Sequence, residues 1–253
     1  MKKFLIAVAG WVAVTIGAPA SAADVAAIPT TKAPPVLATI YDWSGVYIGI
    51  NGGGGSLHSC WEVVEALGVA IVPAANEGCH NASGGTAGGQ IGYRWQSFKW
   101  VFGLEAQGNW ADFNGSNLSL VLAPLTNHSK VDAFGLLTGQ LGYTANNLLF
   151  YMKGGAAVTR AEYNTFATGT PGVIFNDARQ TRWGGTLGVG LEFGFAPNWS
   201  VGAEYDHLFM GHFNASFATT AGLLPRIDRI GQDVDIGLVR VNYRWGGPAV
   251  ARY

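Results

Sequence analysis

The chain has 253 residues and a formal net charge of −1, from 15 Lys+Arg and 16 Asp+Glu. Charged residues make up 12%, about half of the roughly 25% usual in soluble domains, while hydrophobic residues make up 49% and glycine fills 37 positions. These figures exclude a disordered chain, a collagen-like repeat and a nucleic-acid binder working through a general basic surface.

The N-terminus reads as a targeting segment. Lys2 and Lys3 precede an apolar run from Phe4 to Ala18, and Ala20-Ser21-Ala22 fits a small-x-small cleavage pattern, so residues 1–22 are expected to be a signal peptide. Residues 23–42 follow as an extended periplasmic linker, because Pro29, Pro34 and Pro35 oppose both helix and ladder pairing.

From Trp43 onward the texture changes to short segments of alternating polarity. Residues 43–52 set Val46, Ile48 and Ile50 against Tyr47, Gly49 and Asn51, and residues 86–96 set Ile91, Tyr93 and Trp95 against Gln90, Gly92 and Arg94. In 99–110 the apolar parity holds Trp100, Phe102, Leu104 and Trp110, and the other holds Glu105, Gln107 and Asn109. Residues 132–144 follow the same rule less cleanly, with Phe134 and Leu136 on the wrong parity. Residues 148–158 oppose Phe150 and Met152 to Tyr151 and Lys153. The clearest case is 182–195, where Trp183, Leu187, Val189, Leu191 and Phe193 alternate with Arg182, Thr186, Gly188, Gly190 and Glu192. Residues 199–208 and 233–245 complete the set, the last with Ile236 and Leu238 out of phase, which a bulge or an apolar end of the lumen would explain. Period-two alternation means strands with two unlike faces.

Eight strands result, and their connections alternate in length. Short ones fall near 96–98, 145–147 and 196–198, and long ones at 53–85, 111–131, 159–181 and 209–232. This pattern predicts an all-β, eight-stranded, antiparallel up-and-down barrel at residues 43–245, with tight turns at one end, four long loops at the other and a tail at 246–253. Residues 61–72 could instead add a hairpin or a short helix.

Two solvents could touch the apolar parity: a protein core or lipid. A water-facing outer surface should be rich in Lys and Glu. The second parity here mixes glycine with Arg94, Glu105, Lys153, Arg182, Glu192, Glu204, Asp206, Arg240 and Arg244, as suits a narrow closed interior. Trp43, Trp95, Trp100, Trp110, Trp183, Trp199 and Trp245 stand at strand ends, where interfacial aromatic girdles belong. The chain therefore reads as a transmembrane β-barrel, whose closed sheet pairs every backbone polar group.

Several stretches resemble the small outer-membrane β-barrel proteins of alphaproteobacteria, the porin-family or major surface-antigen proteins. These are Lys32-Ala33-Pro34-Pro35, Trp43-Ser44-Gly45-Val46-Tyr47-Ile48-Gly49, Gly88-Gly89-Gln90-Ile91-Gly92-Tyr93 and Val241-Asn242-Tyr243-Arg244-Trp245. The resemblance implies residence in the bacterial outer membrane among lipid and lipopolysaccharide. It also implies delivery by periplasmic chaperones and insertion by the barrel-assembly machinery, with Trp245 and the tail to Tyr253 resembling the assembly signal. Family members usually carry Phe where Trp245 stands.

The charges sharing the lumen parity are the most specific functional feature. Desolvated ions need partners, so a cross-lumen ion-pair network is expected, acting as a plug or as a selectivity device. A plugged structural barrel is the leading reading, ahead of a small-solute channel and of a receptor or adhesin that takes an external ligand through its loops. Cys60 and Cys79 form an even pair in an exported chain, which predicts a disulfide. His58 and His80 flank them in a zinc-like arrangement that matches no standard finger. His207 and His212 lie near Asp206 and Ser216, too loosely arranged to predict an enzyme. Gly52 to Gly55 lack the helix and Lys of a phosphate loop, and no cofactor is expected.

Overall fold

The computed structural model describes residues 41–120, 125–167, 174–217 and 226–245. The expected signal peptide, the linker as far as residue 40 and the tail at 246–253 lie outside the described residues.

Eight antiparallel strands close into one barrel in sequence order. They are β1 (Gly45–Ala66), β2 (Val69–Ser97), β3 (Trp100–Leu118), β4 (Leu125–Ala145), β5 (Leu148–Ala167), β6 (Ile174–Ala196), β7 (Trp199–Phe217) and β8 (Arg226–Trp245). Closure is made by β1 and β8, from Val46 opposite Trp245 to Ala66 opposite Arg226. Two-residue connections join β2 to β3, β4 to β5 and β6 to β7 at the expected short end.

The strands are 19 to 29 residues long, whereas a tilted strand crosses a bilayer in about 9–11. Most residues expected in the long connections are therefore strand that continues beyond the membrane. Residues 61–72 do form a hairpin, but as the ends of β1 and β2, so the count stays at eight. Leu67 and Gly68 both have positive φ, 57° and 74°, which matches the two-residue turn that right-twisted hairpins favour.

The outer surface carries the apolar parity. Ile50, Leu104, Leu137, Leu187, Val189 and Val239 are all exposed on it. Trp95, Trp100, Trp199 and Trp245 ring the short-turn end, with Trp100 against Tyr143 at 5.6 Å and Trp199 against Tyr243 at 5.0 Å. Trp110 and Trp183 mark the opposite border, Trp110 ten positions beyond Trp100 on β3.

Trp43 departs from this girdle. It is 1% exposed and turned inward, with its indole N–H donating to Thr144 Oγ1 at 3.1 Å. Tyr41 packs on it at 4.5 Å and is buried too, so Tyr41, placed in the linker on sequence, joins the base of the barrel interior. The Pro-rich composition ends before this buried aromatic pair.

Candidate functional site

The interior is stacked in layers along the barrel axis. At the short-turn end, Tyr41, Trp43, Val101, Leu149 and Tyr151 form an apolar floor. Arg244 tethers it by donating to the carbonyls of Ser44 at 2.8 Å and Pro197 at 3.2 Å, with its guanidinium over the Tyr41 ring. Arg244 thus binds backbone and an aromatic face, and among the described residues it joins no carboxylate.

Above the floor lies the ionic layer. Arg94 grips Glu192 with both terminal nitrogens, at 3.1 and 2.9 Å, and its Nε donates to Gln140 at 3.1 Å. Ser200 and Asn242 also donate to Glu192 Oε1, at 2.5 and 2.9 Å. Arg240 spans Glu105 and Glu204, bonded to both. Lys153 Nζ lies 2.7 Å from Glu204, 3.2 Å from Asp206 and 3.6 Å from Glu105. Tyr47 donates to Glu105 at 2.6 Å and Tyr151 to Glu204 at 2.5 Å. Arg240 and Glu105 are each 1% exposed and Asp206 is fully buried. Three cations therefore face four carboxylates in one dry layer; the three glutamates each have several donors, while Asp206 has only the Lys153 charge beside it.

Small residues make room for this layer. A Cβ at Gly92 would lie 2.5 Å from the Tyr47 hydroxyl, and one at Gly190 would overlap the Tyr151 ring. The glycines of the lumen parity are thus the space that the two inward tyrosines fill. An amide rung continues upward: Asn51 donates to Gln90 at 2.6 Å, Gln90 to Asn242 at 2.7 Å and Gln107 to Asn109 at 3.0 Å.

The long-strand end is different in kind. Leu57, Trp61, Phe113, Val131, Phe134, Leu136, Tyr163, Leu208, Ile230, Val234, Ile236 and Leu238 form one buried apolar cluster. The out-of-phase residues of 132–144 and 233–245 belong here, so the apolar lumen end is the explanation for both. Sequence reasoning missed this core. Its signal was present, as inward apolar positions on all sides of the same rungs, but it runs counter to the parity that lipid imposes lower down.

Arg182 belongs to this upper region and not to the ionic layer. It donates to Gln232 at 2.6 Å and to the carbonyls of Met210 and Gly211 at 2.7 and 2.9 Å, with its guanidinium over Phe213. The β6–β7 ladder runs only from Gly185 opposite Phe209 to Ala196 opposite Trp199. Arg182 therefore satisfies carbonyls released where that ladder stops. Seven of the nine predicted lumen charges are brought together, and the remaining two, Arg182 and Arg244, tie off opposite ends of the interior.

The histidines separate by face. His207 points outward and bonds Asp235 at 2.7 Å, which also accepts from Tyr205 at 2.5 Å, while Asp206 points inward to Lys153. His80 is inward, 6.4 Å from the Trp61 ring, and His58 is outward. The predicted Cys60–Cys79 disulfide is formed, joining residues directly opposite on β1 and β2.

A closed eight-stranded sheet with an apolar outer belt, aromatic borders and a polar interior defines a transmembrane β-barrel. Comparison with known proteins carries this further. The profile of the outer membrane protein beta-barrel domain family matches residues 12–223, and the chain belongs to that family. It is 29% identical over 227 residues to the 31 kDa outer-membrane immunogenic protein of Brucella melitensis, covering 85% of this chain and 89% of that one. An uncharacterized protein of Coxiella burnetii is 34% identical over 146 residues, covering 51% and 56% of the two chains. Among solved structures, OprG of Pseudomonas aeruginosa aligns with a TM-score of 0.47 at 13% identity, covering 81% of this chain and 97% of that one. The outer membrane protease OmpT of Escherichia coli aligns with a TM-score of 0.48 at 10% identity, covering 79% and 97%. The protein is an eight-stranded barrel of the bacterial outer membrane.

Proposed function

We propose that this barrel is a non-conducting, non-enzymatic surface protein that strengthens the envelope and presents its long extracellular hairpins for contact. The observation that carries the reading is the filled interior: an aromatic floor, a buried ion-pair layer and an apolar core follow one another along the axis. Moving a hydrated ion through it would require breaking the Arg94–Glu192 and Arg240–Glu105/Glu204 contacts, each held in a dry site. A gated channel would need the same residues in a second arrangement. The hairpins supply the contact surface, and the Brucella relative's description as immunogenic agrees with such exposure. Lipid and lipopolysaccharide surround the belt, and the assembly machinery and periplasmic chaperones deliver the chain.

Planar-bilayer recording of the refolded protein tests this. The reading expects no steady single-channel conductance from the native sequence, and occasional openings once Arg240→Ala removes the central cation. Large, stable channels from the unmodified protein would contradict it.

A further inference from the structure

We propose that the outer face of the β1–β2 hairpin is a redox-gated metal site, in which His58, Cys60 and Cys79 hold one soft or borderline cation such as Zn²⁺ or Cu⁺ once the disulfide is reduced. A ring nitrogen of His58 and the two sulfurs all lie within 4.8 Å of one another. All three residues stand on the outward parity of strand that has already left the membrane, His58 and Cys79 exposed and Cys60 half-buried. Cys60 and Cys79 are register partners, and so are His58 and Asn81 two rungs nearer the membrane.

Asn81 gives the imidazole its direction. His58 Nδ1 is 2.7 Å from Asn81 Oδ1, an acceptor, so Nδ1 carries the proton and Nε2 keeps its lone pair. That lone pair faces Cys60 Sγ at 3.4 Å. A histidine whose second nitrogen donates to a fixed oxygen is the usual arrangement of a metal-ligating imidazole. His80, which the sequence offers as a fourth ligand, cannot join: it is one residue past Cys79, and strand alternation turns it into the barrel.

The disulfide form has no thiolate to give. A low-molecular-weight thiol supplies the reaction by exchange: two molecules of reductant lose two electrons and two protons to become their own disulfide, and Cys60 and Cys79 become thiols. Binding of Zn²⁺ then releases both thiol protons and forms two Zn–S bonds and one Zn–N bond. Two thiolates and an imidazole suit zinc or cuprous ion, and the fourth position stays open to water. The register of the hairpin fixes the donors, so reduction changes the ligands without needing the strands to move.

The test uses the full barrel in detergent micelles, reduced with a phosphine and titrated with Co²⁺ as the spectroscopic probe. The reduced protein should bind one Co²⁺ with a thiolate-to-cobalt charge-transfer band that Zn²⁺ displaces, and the oxidised protein should show none. Asn81→Ala leaves all three ligands in place and should weaken binding by about 10- to 100-fold, as loss of an orienting partner does elsewhere. His58→Ala should weaken it further, and Cys60→Ser/Cys79→Ser should abolish the band. Unheated gel mobility reports that each variant is still a folded barrel. Absence of a thiolate–cobalt band in the reduced, folded protein would overturn the proposal, as would an affinity unchanged in folded His58→Ala.

Discussion

The lower and upper halves of this barrel are built from the same eight strands with opposite polarity. On β8, Val239 and Val241 point out and Arg240 and Asn242 point in, while a few residues further on Asp233 and Arg229 point out and Ile230, Val234 and Ile236 point in. β4 repeats the inversion, with Leu137 and Leu141 exposed below and Lys130 and Asp132 facing out above, over buried Val131 and Phe134. On β8 the backbone alternation does not change and only the solvent does, whereas on β4 a bulge between Val131 and Ala133 also shifts which parity points inward. Within lipid the outer face must be apolar, and the interior collects the charges the fold needs. Beyond lipid the outer face is wet, and the interior is built around a hydrophobic cluster with buried polar groups such as Arg182 and Gln232 beside it.

Breaking the lower half should cost most. Arg240→Ala leaves Glu105 and Glu204 without their shared cation and should destabilise the barrel by about 3–5 kcal/mol, measured by equilibrium urea unfolding in lipid vesicles. The outer faces give the sharpest contrast next. Val239→Arg places a charge in hydrocarbon and should cost about 2–4 kcal/mol, whereas Asp233→Arg, outward on the same strand but in water, should stay within about 0.5 kcal/mol. Arg182→Ala removes charge-assisted bonds to the freed Met210 and Gly211 carbonyls and should cost about 1.5–3 kcal/mol, with faster amide exchange in the upper parts of β6 and β7.

A pH effect should be confined to the upper half and be the smallest. Burial lowers the pKa of His80, and the neighbouring His128 and His58 add to the shift; burial lowers His128 as well, followed by the charge of Lys130. Both therefore stay neutral in the folded barrel where the unfolded chain takes up protons. Their contribution is complete above about pH 6.5, the ordinary imidazole value, and is lost as pH falls from there toward the folded values. Thermal unfolding of wild type and His80→Asn across pH 7.5 to 5 should show a shallower acid loss in the variant; identical slopes would contradict this.

The membrane-spanning half was legible from sequence because one solvent governs it. Leu187, Val189 and Leu191 alternate without exception with Thr186, Gly188 and Gly190, and the lipid-facing side follows. The upper strands were not, because their inward Leu57, Trp61, Phe113 and Ile230 violate the rule just learned, and residues such as 53–85 then look like loop. Trp43 was misplaced because an aromatic at a strand end satisfies a girdle and a plug equally until its direction is known. The ionic layer could be listed but not wired: that Arg240 spans two carboxylates while Arg182 and Arg244 bind backbone depends on axial height, which parity alone does not encode.

A nitroxide scan along β8 from Arg229 to Tyr243, read by collision with lipid-borne oxygen and with a water-soluble nickel chelate, tests the inversion most directly. Labels at 239 and 241 should collide with oxygen, those at 229 and 233 with nickel, and those at 230, 234 and 240 with neither. Nickel access at 239 and 241, or an unbroken oxygen pattern through 229, would show that one solvent bathes the whole strand and that the two-halved barrel is wrong.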